Sequence, residues 1–473
     1  MLTPEVIEKS KAGELYNESL GPYPYDKRKV TPVGLGFIWF GMSITVSIFT
    51  SFAGFAQWLT IGQILVAAII GFTICGIANV FVQEMGIIYG IPFISAMRAS
   101  FGTAGSYFIS LVKLPAPLFW TGFNSFLGGS AFNQISVLTI GFDNVYLFMG
   151  VFAALQILVI YKGASRYAKF NTIVTPLLLI MGAYIWYLLL RDNNVTIMQV
   201  LSMGGADGTP AEKTERYILC VMAAVGLWLG VNFATMNFTR ECKTDPSLFK
   251  SWTKTNWKYG VAVWLGMAIP TTVVGVFGGM SFVLAGTPNP VDLISQTVGA
   301  HSVFIAIFCQ IFVLFGILST NTGANLYTGA FLLCNFFKKL EVKHMTIVVL
   351  IIATALRPWR TIGFLGPILT IFGRLSAPIG GIMITDYYFY RKRKFSMPDF
   401  YTKKGKYTYF KGLNPAAIIS YIITMLVVHL PIFLKFASIV GVPVSGIFYY
   451  LGMKYWIEKK YPECKEDLLD HFI

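Results

Sequence analysis

From Pro32 onward the chain alternates between long apolar runs and short polar, often basic, connections. Most runs approach the ~20 residues that a helix needs to cross a bilayer. About twelve such spans can be placed at that length scale, centred near residues 45, 73, 122, 153, 178, 228, 268, 318, 350, 373, 423 and 445. A β-barrel is excluded, because its strands would alternate and be much shorter. The pattern predicts an all-α polytopic membrane protein.

Interruptions of this pattern carry the chemistry. Residues 317–331 read "ILSTNTGANLYTGAF", inside an apolar stretch running from His301 to Lys338 and Lys339. Ser319, Thr320, Asn321, Thr322 and Asn325 each cost free energy in hydrocarbon unless something satisfies them. Similar uncharged oxygen and amide groups lie in span one ("IWFGMSITVSIFTSFAG"), span three ("LFWTGFNSFLGG") and span six ("GLWLGVNFATMNFTRE"). Trp120 and Asn124 are four residues apart and share a helix face, as do Asn321 and Asn325. An indole beside an amide suits a flat heterocycle, which needs a surface to stack on and an edge to hydrogen-bond. Trp228 in span six offers a second stacking surface. Taken singly, each of these residues is better explained by helix packing, where Ser, Thr, Asn and Gly are common. Their combination points to a binding site.

Gly41 and Gly230 fall five spans apart, in spans one and six. Transporters built from two inverted five-helix repeats break these two spans at mid-membrane, which frees backbone groups for ion and substrate. Sodium prefers several oxygen ligands, by the logic that holds for other hard cations. The hydroxyls of Ser319 and Thr320, with carbonyls of an unwound first span, could supply them.

Composition narrows the function classes. Only 12% of the residues are charged and 55% are hydrophobic, against about 25% charged in soluble domains. The net charge of +15 does not indicate nucleic-acid binding, because of its placement. Basic clusters precede span one (Lys9, Lys11, Lys27, Arg28, Lys29) or follow even-numbered spans, densest at Arg391–Lys394 and Lys403–Lys411. The opposite connections hold only Arg191, Lys213, Arg216, Arg357 and Arg360. The positive-inside rule then predicts a multi-pass cell-membrane protein with both termini cytoplasmic. The first ~30 residues are polar and read as a cytoplasmic leader rather than a signal peptide. Six scattered cysteines without a CxxC pair indicate neither metal nor disulfides. The four histidines stand apart, and Glu84 and Asp386 read as boundary residues, so catalysis has little to stand on.

The pieces "IWFGMSITVSIF", "LFWTGFN", "RECKTDP", "STNTGAN", "APIGGIMITDYYFYRKRK" and "KGKYTYFKGLN", in that order, resemble the nucleobase–cation symport family 1, and most closely its bacterial sodium–hydantoin branch. The resemblance covers Gly36 to about Trp456. It implies a fold similar to that of the leucine transporter: a five-plus-five inverted repeat followed by two extra helices. The organisation would be a cytoplasmic segment over 1–30, repeats over 31–192 and 193–390, a basic loop over 391–412, the last two helices over 413–458, and a tail over 459–473. By the same resemblance, Trp120 and Trp228 would stack the ring and Asn325 would bond its edge. Sodium would meet carbonyls of Gly41, Ile44 and Gly316 and hydroxyls of Ser319 and Thr320.

The hydantoin branch has Gln where this chain has Asn124 and Thr45, and Gly where it has Leu227. Such swaps redirect specificity within the class of small planar amides. Arg374, in mid-span ten where that branch has a small polar residue, reads either as an Arg buried against helix carbonyls or a water-filled cavity, or as a gate residue meeting the substrate. Lys113 matches a family lysine and has a supporting role.

The leading reading is a symporter importing a nucleobase or a hydantoin- or allantoin-like compound by alternating access. Sodium is the expected coupling ion, with a proton-coupled permease of the same family and a non-transporting nutrient receptor as alternatives. No other cofactor and no obligate protein partner is indicated. A channel would need a ring of repeated selectivity elements, which one asymmetric chain does not suggest.

Overall fold

A computed structural model of the protein describes residues 4–161, 164–206, 208–337 and 339–464, and the side chains at 4, 161–175 and 362 lie outside that description. The side chains of the basic residues Arg166 and Lys169 therefore lie outside the description, as do Lys338, Lys465 and His471 altogether.

Eleven of the twelve predicted centres fall on helices, and the twelfth, at residue 45, falls on a break between two. Span one is Pro32–Ser43 and Val46–Ala53, span two Ile61–Tyr89, span three Pro115–Ile140 and span four Val145–Tyr161. Span five is Ala164–Asp192, span six Pro210–Phe233 and span seven Trp252–Ala285. Span eight runs from Val303 through Thr320 and a π-turn at Asn321–Leu326 to Cys334. Spans nine to twelve are Val342–Ala355, Leu365–Ile384, Pro415–Val428 and Ala437–Gly452. Among the described residues, spans two, six, seven, eight and ten are long and apolar enough to cross a membrane by length and composition. The bent pair of span one makes a sixth.

Burial is inverted relative to a soluble protein. Phe37, Ile77, Phe304 and Leu426 point outward, while Asn79, Gln83, Asn232, Gln310 and Asn321 are fully buried. Lipid solvates the apolar surface, and the polar groups must find one another inside.

The two breaks have local causes. In span one, the consecutive β-branched residues Ile44, Thr45 and Val46 disfavour helix. Thr45 is extended (φ −131°, ψ 139°), and the two halves meet at 55°. In span six the expected interruption at Gly230 is displaced: helix continues through that residue to Phe233 and turns at Ala234 (φ −98°, ψ 12°). The Ala234 N–H bonds the carbonyl of Val231 at 2.9 Å instead of that of Gly230. A glycine alone does not end a helix; here the hydrogen-bond register slips four residues later.

Two groups of helices result. Spans one, two, six and seven pack on one another, as do spans three, four, eight and nine, and span ten lies along spans six and twelve. Backbones approach closely where span seven crosses span one: a Cβ at Gly266 would overlap the Gly36 carbonyl, so glycine is needed there for approach rather than flexibility. The N-terminal segment and Cys464 both meet the face formed by residues 391–412. Leu15 N–H donates to Tyr401 O at 2.8 Å, and Arg391 Nη1 donates to Cys464 O at 2.8 Å. Both ends of the described chain thus share one face, called the terminal face below.

Candidate binding cavity

A cavity of about 40 Å³ opens between spans three, six, eight and ten, lined by Lys113, Trp120, Leu227, Gly230, Asn325, Thr328, Phe372 and Ser376 among others. Three of the predicted substrate residues, Trp120, Leu227 and Asn325, share this lining. The Trp120 ring is held edge-to-face by Phe119 and Phe123, at centroid distances of 5.2 and 5.7 Å. This fixes the plane of its indole.

Asn325 is held from behind. Its Nδ2 donates to Asn321 Oδ1 at 3.0 Å. Asn321 Nδ2 donates to Gln156 Oε1 at 2.7 Å and to Thr121 O at 3.2 Å. Gln156 Nε2 donates to Ser125 Oγ at 3.1 Å. Asn321, Gln156 and Ser125 are fully buried, so the chain of amides crosses from span eight to spans three and four and orients Asn325. The π-turn at Asn321–Leu326 carries this pair; such bulges are frequent at functional sites. Gln156 and Ser125 were not legible as site residues: Gln156 sits alone in an apolar helix, Ser125 lies within a polar motif where Asn124 drew the attention, and the two are partners 31 residues apart. A polar residue isolated in an apolar run was the available signal.

Other predicted residues lie outside the lining. Asn321 acts through Asn325. Trp228 is buried with its ring edge-to-face on Trp39, centroids 5.6 Å apart. Asn124 is buried, and its Oδ1 has no hydrogen-bond partner. Thr45 Oγ1 lies 3.0 Å from Ser47 Oγ at the break of span one. Arg374 is partly buried in span ten, does not line the cavity, and makes no hydrogen bond or ion pair among the described residues.

Span eight, which carries Gly316, Ser319 and Thr320, packs on both halves of span one, which carries Gly41 and Ile44 beside its break. Ser319 and Thr320 are 4% and 3% exposed, and Thr320 Oγ1 is buried without a hydrogen-bond partner. Ile48 N–H donates to the Thr45 carbonyl at 3.1 Å rather than to that of Ile44, so the break frees the Ile44 carbonyl from helical bonding. Gly41 is buried in the last turn before the break, and a Cβ on Gly316 would press on Leu178 of span five. This is a set of neutral oxygens with one unpartnered hydroxyl, which fits a hard monovalent cation.

Lys113 reaches the cavity as well: its Nζ donates to Gly230 O at 2.6 Å and lies 4.2 Å from the centroid of the Phe93 ring. The acids are placed otherwise. Asp386 and Glu84 are buried in ion pairs with Arg391 and Arg393. His301, expected to stand alone, bonds Asp192 Oδ2 at 2.7 Å. No group of three or more His, Cys, Asp or Glu side chains among the described residues could hold a metal.

Comparison with known proteins places the chain in a family. Residues 22–457 match the family model described as permease for cytosine/purines, uracil, thiamine and allantoin. The chain is 35% identical to the hydantoin permease of Microbacterium maritypicum, over 96% of this chain and 92% of that one. It is 23% identical to the allantoin permease of Bacillus subtilis, over 94% of each. Among solved structures it superposes on Mhp1, a nucleobase–cation symport 1 family transporter in a closed conformation with bromovinylhydantoin bound. That match has a TM-score of 0.89 at 35% identity, covering 96% of this chain and 98% of that one. A sodium-coupled sialic acid symporter, 13% identical with TM-score 0.59 over 95% and 94% of the two chains, shares the fold alone. With a helical fold of the leucine-transporter type and a permease match over nearly its whole length, the chain belongs to the nucleobase–cation symport 1 family of membrane transporters and is not an enzyme.

Proposed function

We propose that the protein is a secondary active symporter that imports a small planar cyclic amide, a nucleobase or a hydantoin- or allantoin-like compound, together with sodium moving downhill. One observation carries the substrate class: an edge-braced indole, Trp120, and an amide fixed by a buried relay, Asn325, line the same cavity. A ring stacks on the first and hydrogen-bonds the second. Trp228 adds a second aromatic surface once span six shifts. Leu227 in the lining narrows the cavity, and Asn124 and Thr45 tune specificity within the class.

Sodium is held by carbonyls of Gly41, Ile44 and Gly316 and hydroxyls of Ser319 and Thr320. The unpartnered Thr320 hydroxyl and the free Ile44 carbonyl support this assignment. Ion and ring favour the same closed state, so each raises the other's affinity. The group of spans one, two, six and seven then rocks against the group of spans three, four, eight and nine. Orientation follows the basic surplus, which puts the terminal face in the cytoplasm. Arg374 stands on span ten as a gate residue.

The test is tryptophan fluorescence on purified protein with uracil, cytosine, adenine, hypoxanthine, allantoin and a substituted hydantoin, each in sodium and in choline at matched ionic strength. One compound is expected to quench with an affinity that sodium improves, and Ser319→Ala to remove the improvement. Equal binding in both salts would overturn sodium coupling and leave a proton-coupled permease. Binding without uptake into proteoliposomes would leave a nutrient receptor.

A further inference from the structure

The Lys113 ammonium makes its contact at an unusual acceptor. Gly230 O would take the Ala234 N–H in an uninterrupted helix, but that N–H turns to Val231. Its carbonyl is therefore left at the last turn of span six, and Lys113 Nζ takes it at 2.6 Å. Lys113 is 7% exposed and directly precedes span three. The contact thus joins the two helix groups that alternating access separates. It sits on the terminal-face side of the cavity, since Lys113 comes before Trp120 in an ascending span and Gly230 after Trp228 in a descending one. The Phe93 ring lies against the ammonium on that side. Phe93 is itself tied to the segment after span six, its N–H donating to Asn237 Oδ1 at 3.0 Å.

A single charge-assisted bond to a carbonyl is stronger than a neutral one. The cavity lining offers no carboxylate that could take the ammonium away. Gly230 cannot move from span three while the bond holds.

We propose that Lys113 is the inner latch of the transporter: its bond to the Gly230 carbonyl closes the cavity floor toward the terminal face, and its release is a step of opening to that side. The role rests on the transport reading, but its test does not need uptake. Val231 lines the cavity, and the native cysteines at 75, 220, 242, 309, 334 and 464 are buried, so Val231→Cys reports access. A membrane-impermeant maleimide is applied to sealed vesicles from the terminal face. Lys113→Met keeps the stem and removes the donor, and is expected to raise the labelling rate at least roughly threefold, as a shift of a two-state equilibrium requires. Because the ring favours the closed state, substrate affinity by tryptophan fluorescence should fall by no more than the factor by which labelling rises. Where Lys113→Met does not reach the membrane, Lys113→Gln, a shorter neutral donor, should give the same direction. Unchanged labelling in the variants overturns the latch, as does lost substrate binding with unchanged labelling, which would make Lys113 a substrate ligand. A parent that labels normally and responds to Lys113→Met but transports nothing would instead sink the transport reading and leave the latch.

Discussion

Asn325 faces the cavity because Asn321 holds its amide, and Asn321 is held in turn by Gln156 from span four. Removing the middle of this relay leaves the Gln156 carbonyl oxygen without its 2.7 Å donor. Such a buried orphan costs about 1–3 kcal/mol, and part of that cost appears as lost orientation of Asn325. Asn321→Ala is therefore expected to weaken substrate binding by roughly tenfold while leaving sodium stimulation in place. Titration of tryptophan quenching in both salts checks this, and loss of sodium stimulation alone would mean that Asn321 belongs to the ion. Thr320 gives the opposite signature. Its hydroxyl bonds nothing, so Thr320→Val should leave the melting temperature in choline unchanged or slightly raised, and abolish the rise that sodium produces. A melting temperature that falls equally in both salts would assign the hydroxyl to packing. Trp120 and Asn325 could be read from sequence because an aromatic and an amide in lipid-length helices stand out locally. Gln156 could not, because its meaning comes from a partner 165 residues away.

At the scale of an element, the ends of spans matter more than their composition suggested. Asp386 reads in sequence as an acidic residue at a membrane boundary. In the structure it is 1% exposed, pairs with Arg391 Nε at 2.9 Å, and accepts from Tyr449 Oη of span twelve at 2.6 Å. Arg391 also donates to Ala99 O, in the short helix Phe93–Phe101 between spans two and three, and to Cys464 O. The end of span ten is thereby bolted to span twelve, to the connection between spans two and three, and to the C-terminal segment. Breaking a buried pair by removing one partner costs about 3–5 kcal/mol, since it leaves a charge uncompensated. Asp386→Ala should lower the melting temperature strongly, and the double change Asp386→Ala with Arg391→Met should recover part of the loss. No recovery would mean that Arg391's remaining bonds, not the ion pair, set the stability. Break positions were only partly legible: the β-branched Ile44–Thr45–Val46 run marks the one in span one. In span six Gly230 drew attention, but the turn falls at Ala234, where the hydrogen-bond register changes.

For the whole molecule, the number and order of spans could be read from hydropathy, because lipid forces every spanning segment to be helical and long. What hydropathy cannot report is what lies over the ends of the spans. The first thirty residues read as a polar cytoplasmic leader, and residues 15–30 are folded across the terminal face and touch both helix groups. Ser95 Oγ and Tyr401 Oη both donate to Leu20 O, at 2.8 and 3.0 Å. Arg240 Nη1, just past span six, donates to Ser19 O at 3.0 Å. Asn17 Nδ2 reaches Leu340 O, beyond span eight, at 3.5 Å. Over residues 15–21 the Leu15 N–H bond to Tyr401 O is joined by side chains that donate to the Ser19 and Leu20 carbonyls, and a segment held in this way can open without unfolding the bundle, as low-stability units do. Each neutral hydrogen bond contributes about 1 kcal/mol. Cutting both donors to Leu20, by Tyr401→Phe with Ser95→Ala, should therefore speed hydrogen exchange over residues 15–21 by roughly thirtyfold. The interiors of spans two, six and seven should not change. If exchange rises evenly throughout, the segment unfolds only with the bundle and is part of its core. If it rises only at residues 15–21, the segment is a strap that releases on its own while the helices beneath it stay packed.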